Sequence, residues 1–178
     1  MEFQESKTYA NLQSAMDREL RNSTQYDIYS DKAKEQGYIE IGNVFTTIAR
    51  NELEHARIWL KQLNNGEVPS TEQNLASSIE TETLSDIYRR YAQVAIEEGY
   101  NEIAALFNGV ANIELNHSLE FQVMYENVVA NTVFCKPDEY LWICMACGNI
   151  LSGKCAPVIC PVCGFPQGYY KILERFSF

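Results

Sequence analysis

Apolar residues recur through the first two thirds of the chain at steps of three, four and seven, the spacing of one face of an α-helix. Leu12, Met16, Tyr26, Tyr29 and Ala33 share one such face with Glu19, and Ile41, Phe45, Ile48 and Trp59 share a second with Glu52 and His55. Between them Gly37 predicts a left-handed stop to the first helix, and Asn64-Asn65-Gly66 predicts the end of the second. The pattern then repeats. Residues 29–55 and 91–117 are identical at twelve of 27 positions without a gap, among them the pairs Gly37/Gly99, Phe45/Phe107, Glu52/Glu114 and His55/His117. The region is therefore two copies of one helical hairpin. Glu67-Val68-Pro69 separates the copies, and Ser70-x-x-Gln73 predicts a capping box for a third helix that runs to Gly99. A fourth helix is expected from about Asn101 to Ala130. Two antiparallel pairs with apolar stripes predict a mainly α protein built on a four-helix bundle.

Charged residues interrupt the stripes at matching places. Glu52 and His55 are neighbours at i and i+3, Glu114 and His117 repeat the arrangement, and these are the only histidines in the chain. Two carboxylates facing one apolar interior need pairing or a metal. Di-iron bundles of the ferritin-like class use this set, a Glu from each of two helices and Glu-x-x-His from each of the other two. On the first helix Glu19 lies on the inward face. On the third the strict offset falls on Thr81, leaving Glu80 and Glu82 as neighbours. Stepping back from Leu84, Ile87, Tyr88 and Tyr91 reaches Glu80, whereas Glu82 aligns with Ser85, Asp86 and Arg89 on a solvated face. The expected ligands are therefore Glu19, Glu52, His55, Glu80, Glu114 and His117. Four carboxylates neutralise two divalent cations, and this donor set suits Fe²⁺, Mn²⁺ or Zn²⁺. Tyr26 and Tyr88 are either hydrogen-bond donors to ligating carboxylates or core aromatics.

The reading changes after residue 134. Cys144, Cys147, Cys160 and Cys163 form C-x2-C-x12-C-x2-C, with Gly148 and Gly164 following the pairs. So short a segment needs a metal or disulfides to fold, and four thiolates suit zinc or a single iron. Tyr140, Trp142, Phe165, Tyr169 and Tyr170 are expected to build a small aromatic core. Cys135 and Cys155 fall outside the pattern and are read as free thiols. The expected domains are 1–134 and 135–178.

Net charge is −10, and it is concentrated in the first part: ten Lys/Arg against 21 Asp/Glu through Phe134, then four against three. An acidic body argues against nucleic acid as a partner. No signal sequence or membrane span is expected from the pattern.

With these elements in view, the chain resembles the rubrerythrin family over nearly its whole length. The carriers of the resemblance are Glu19 with Tyr26, Glu52-x-x-His55, Tyr88 followed by the segment ending Glu97-Glu98-Gly99-Tyr100, Glu114-x-x-His117, and the cysteine pairs behind Trp142. The resemblance implies a ferritin-like four-helix bundle with a carboxylate-bridged di-iron centre, followed by a rubredoxin-like domain holding one iron on four cysteines. It also implies a cytoplasmic homodimer that reduces hydrogen peroxide to water in oxidative-stress defence. Electrons would come from an electron-donor protein, a rubredoxin or an NAD(P)H-dependent reductase. Carried onto this chain, Glu19, Glu52, His55, Glu80, Glu114 and His117 match di-iron ligands, the four cysteines match the mononuclear iron ligands, and Tyr26 and Tyr88 match tyrosines beside the di-iron site. The family's further glutamate on the third helix is Thr83 here, so the exchange of that carboxylate with His55 is in question. Two rival readings stand beside this one. One is a ferroxidase or oxidase of the ferritin-like class, against which the cysteine tail counts; the other is a structural or sensor module with zinc in the tail.

Overall fold

Both hairpins expected from the repeat are present in the computed structural model, which describes residues 2–83 and 86–173, Thr83 by its backbone alone. Helix α1 (Lys7–Glu35) starts at Ser6, whose side chain accepts a hydrogen bond from the Tyr9 N–H at 3.1 Å. It stops at Gly37, which adopts φ 85°, and the Tyr38 N–H donates back to the Ala33 carbonyl at 2.9 Å before α2 (Ile39–Leu63) begins. The second hairpin repeats this corner: Gly99 has φ 87° and the Tyr100 N–H donates to the Ala95 carbonyl at 2.7 Å. The third helix is expected to run to Gly99, and the described residues either side of 84 and 85 are helical, α3 (Thr71–Thr83) and α4 (Asp86–Glu97), both packed on α5 (Asn101–Val129). Leu84 and Ser85, used to set the inward and solvated faces, lie outside the described residues.

The chain divides into two compact units, Met1–Ser70 and Thr71–Phe178. In the first, the α1/α2 seam is lined by small residues. Gly42, Ala49 and Ala56, seven apart on α2, are buried with Ser30 and Ala33 of α1. A Cβ on Gly42 would stand 2.6 Å from the Lys34 side chain and 3.1 Å from the Ser30 carbonyl, so the backbones can approach only because that atom is missing. Ser30 Oγ donates to the Gly42 carbonyl at 2.8 Å. At the offset of 62, the second unit buries Ala92 and Ala95 of α4 with Ala104, Ala111 and Ser118 of α5. The large apolar residues expected as core do not form these seams. Ile41 and Ile48 of the expected α2 stripe are 51% and 38% exposed, and Val44 of α2 with Ile103 and Leu106 of α5, outside that expectation, are 53%, 46% and 69% exposed.

After α5 the second unit continues into a three-stranded antiparallel sheet of β1 (Cys135–Cys144), β2 (Ile150–Cys155) and β3 (Tyr170–Ile172), in the order β2-β1-β3. Helix gives way to strand between Val129 and Cys135, and the boundary between compact units is at Ser70/Thr71. Trp142 and Tyr170 are buried with Cys144, Ala156 and Cys160, and the Trp142 Nε1–H donates to the Gly153 carbonyl at 3.0 Å. Tyr140, Phe165 and Tyr169, expected in the same core, are exposed instead; Phe165 and Tyr169 stack edge to face on each other. The free-thiol expectation for Cys135 and Cys155 is also corrected: antiparallel pairing places them opposite one another, and they form a disulfide. Among the described residues no helix is long and apolar enough to cross a membrane.

Candidate metal centres

Each hairpin gathers two carboxylates and an imidazole. In the first unit α1 supplies Glu19 and α2 supplies Glu52 and His55, with ligand atoms within 4.8 Å of one another. Because α2 turns 3.6 residues per turn, Glu52 and His55 project from the same side, next to Phe45 and Ile48. The His55 Nδ1 is 3.6 Å from Glu19. Glu52 shares a hydrogen bond with Glu19, and this contact, reinforced by burial and by the Glu19 charge, raises its carboxyl above the ordinary range against the opposing pull of Asn22 and His55. Two carboxyls that share a proton in the absence of metal are a donor set that a cation completes by displacing it.

The second unit holds the counterpart, Glu82, Glu114 and His117. His117 Nδ1 lies 3.3 Å from Glu114 and 3.9 Å from Glu82. The Glu82–Glu114 hydrogen bond, with burial and the Glu114 charge, raises the Glu82 carboxyl. The same bond, with His117, lowers the Glu114 carboxyl. This geometry corrects the choice on the third helix: Glu82 joins the cluster and Glu80 is exposed outside it. The two candidates are two residues apart, about 200° round a helix, so the turn that brings Glu82 to Glu114 and His117 sends Glu80 to the opposite side. The side chain of Thr83 lies outside the described residues. Tyr26 stands 6.0 Å from the ring of Phe45, and Tyr88 stands 6.3 Å from Phe107, each within an aromatic trio completed by Tyr29 or Tyr91.

Cys144, Cys147, Cys160 and Cys163 bring their sulfurs together on two matching turns. Gly148 (φ 77°) and Gly164 (φ 75°) close them, donating their N–H groups to the carbonyls of Cys144 and Cys160 at 2.8 and 2.9 Å. The Cys144–Cys163 and Cys147–Cys160 sulfurs are 3.8 and 3.7 Å apart. A regular tetrahedron with metal–sulfur bonds of about 2.3 Å has edges of about 3.8 Å, which these two pairs match, and all four sulfurs lie within 4.8 Å of one another. The four thiols are unequal. The Tyr170 hydroxyl, followed by backbone N–H groups of Cys163 and Val162, holds Cys160 down at about 6. The Phe165 N–H pulls Cys163 downward, but burial and the other three sulfurs push it up to about 12. Of the sulfurs, Cys160 is the one most favoured as a thiolate, the form in which cysteine binds a metal.

Comparison with known proteins agrees with this geometry. The family profile described as rubrerythrin matches residues 10–125, and that described as the rubrerythrin rubredoxin-like domain matches residues 142–171. Rubrerythrin-1 of Clostridium acetobutylicum is 35% identical, covering 96% of this chain and 96% of its own length. The rubrerythrin of Porphyromonas gingivalis is 34% identical over 95% of this chain and 91% of its own. That of Nitratidesulfovibrio vulgaris is 30% identical over 94% and 95%.

Proposed function

Because this chain belongs to the rubrerythrin family, we propose that it is a non-haem di-iron peroxidase that reduces hydrogen peroxide to water with electrons relayed through its four-cysteine iron site. The family's di-iron domain with Glu/His ligand groups and its rubredoxin-like four-cysteine site are both present in the chain. The observation that carries the reading is the coexistence of a duplicated Glu/Glu/His set with a tetrathiolate pocket of tetrahedral size. An oxidase of ferrous iron has no need for the second site, and a structural zinc module has no need for the first.

In this reading Glu19, Glu52, His55, Glu82, Glu114 and His117 would hold two irons, which would supply two electrons for peroxide reduction. Four carboxylates and two neutral imidazoles balance two divalent cations, so the loaded site carries no excess charge. The reaction consumes two electrons and two protons per peroxide and yields two waters. Tyr26 on α1, which carries Glu19, and Tyr88 on α4 are the proposed proton-delivering hydroxyls, held by tilted ring contacts with Phe45 and Phe107. Around the second metal Cys144, Cys147, Cys160 and Cys163 hold one iron, with the Tyr170 hydroxyl on Cys160 stabilising thiolate charge. An electron-donor protein, a rubredoxin or an NAD(P)H-dependent reductase, would supply electrons to that site. We place the activity in the cytoplasm, with functional parts 1–134 and 135–178.

Stopped-flow mixing of the reduced protein with peroxide or dioxygen tests the proposal. Peroxide should reoxidise the helical centre far faster. Equal or faster reaction with dioxygen transfers the assignment to the oxidase, and a colourless, zinc-loaded protein from iron-rich medium removes the electron relay.

A further inference from the structure

Cys135 and Cys155 stand outside the four-sulfur pocket and are bonded to each other. Cys155 is exposed and Cys135 half-buried, so a thiolate from another molecule can reach the bond. In the cytoplasm, where the activity is placed above, a disulfide within reach of thiols is a transient, redox-active one.

The strand pairing makes this end of the sheet depend on the bond. β1 and β2 pair in step where Tyr140–Ile143 faces Gly153–Ile150. Between Cys135 and Tyr140 the register shifts, and residues 136–139 of β1 have only Lys154 of β2 opposite them. The regular ladder therefore stops short of the cysteines. Beyond the shift the disulfide ties the strands together, beside the hydrogen bond that the Ala156 N–H donates to the Phe134 carbonyl at 2.8 Å.

What this end covers is the metal pocket. Ala156, next to Cys155, is buried with Cys144, Cys160, Trp142 and Tyr170, and Phe134, next to Cys135, packs against the same cluster. The bond joins residues twenty apart, closing a loop that contains Cys144 and Cys147 and leaves Cys160 and Cys163 outside it. It thus ties the loop bearing one ligand turn to the strand that leads into the other.

We propose that Cys135 and Cys155 form a reversible dithiol/disulfide site, a redox site of this chain separate from its metal centres, which latches the four-cysteine pocket. Its oxidant is hydrogen peroxide, a choice that rests on the proposed function, and its reductant is a dithiol. In the reduced pair the more exposed sulfur, Cys155, attacks one peroxide oxygen as a thiolate. The O–O bond breaks, the departing oxygen leaves as water with a proton, and Cys155 becomes a sulfenic acid. Cys135 then displaces that hydroxyl, forming the S–S bond and a second water. Two thiols and one peroxide give one disulfide and two waters, both electrons coming from the sulfurs. A dithiol reverses the change by exchange at Cys155 and is itself left as a disulfide. Oxidised, the pair holds Phe134 and Ale156 on the pocket; reduced, that end loosens and the metal exchanges more readily.

The test uses full-length, iron-loaded protein without oxygen, poised in mixtures of reduced and oxidised dithiothreitol. Alkylation and peptide mass spectrometry read the two cysteines, which should change together as one two-electron couple. After the dithiol is removed, a few equivalents of hydrogen peroxide should re-form the bond. Loss of the four-cysteine iron to a chelator is followed on the same samples by colour. Closing a loop of this length shifts chain opening by roughly a hundredfold, so the reduced form should release iron at least about tenfold faster. Cys135→Ser and Cys155→Ser should release it at the reduced rate in every mixture. A pair that stays oxidised across the range, or that peroxide does not re-form, overturns the site. Equal iron release from the two wild-type states, or variants that still respond to the mixture, overturns the latch. A helical centre that leaves peroxide unreduced overturns the proposed function alone, since the cysteine pair is read by its own mass shift.

Discussion

Replacing Ala49 by leucine should remove metal from the helical centre without touching a ligand. Ala49 is 5% exposed, in the small-residue seam between α1 and α2, one turn before Glu52. Leucine adds three carbons where Gly42, Ala49 and Ala56 let the two backbones come close. Inserting methylenes into a packed seam typically costs about 1–3 kcal/mol, and relief comes by moving the helices apart within the usual range of about 8–10 Å. The first triad is built across that seam, with Glu19 on one helix and Glu52 and His55 on the other, so widening it by about 1 Å moves Glu19 out of ligand range while leaving its helix intact. Ala49→Gly provides the control. It lowers stability by about 1 kcal/mol through helix propensity but does not spread the helices, so it should keep the metal. Urea midpoints and iron per chain, normalised to the four-cysteine iron, separate the two effects. If Ala49→Leu retains full helical-site iron, or Ala49→Gly loses as much of it, then seam width does not set ligand spacing and the reasoning fails.

Metal uptake should release protons and weaken as pH falls. Glu52 and Glu82 have raised carboxyls, so in the metal-free protein they add stability below the ordinary carboxylate range and lose that contribution as pH rises through their raised values. Metal binding demands the opposite state; isothermal titration in buffers of different ionisation heat should show proton release, and its absence refutes the shared-proton picture. Trp142→Ala should cost about 3–5 kcal/mol by emptying the core behind the cysteine site, and chelators should then strip that metal faster; an unchanged release rate would show that the ring does not support the pocket. Cys144→Ser should abolish the thiolate colour and donor-driven turnover while the helical metals stay, as metal analysis will show. Under non-reducing conditions alkylation should leave Cys135 and Cys155 unmodified until a reductant is added; labelling of either beforehand contradicts their pairing.

Period and spacing alone were enough for the features that depend on neighbours along the chain. The 3.6-residue repeat placed Glu52 beside His55 and Glu114 beside His117, because residues three apart on a helix share a face whatever surrounds it. Gly37 and Gly99 marked the corners, since a left-handed stop needs a residue without a Cβ. The two C-x2-C turns declared a metal pocket by the same local logic. What the sequence left undecided depended on contacts between distant segments. Glu82 replaced Glu80 because the neighbouring helix, which brings Glu114 and His117, selects one side of α3, and two residues along a helix turn about 200°. Cys135 met Cys155 because strand register, set by the pairing of β1 with β2, brought residues twenty apart to opposite positions. The seams went to Gly42, Ala49, Ala56 and their repeats, not to the larger residues of the same stripes. Periodicity identifies an apolar face, but close approach of two backbones is a steric matter that selects the smallest side chains on it.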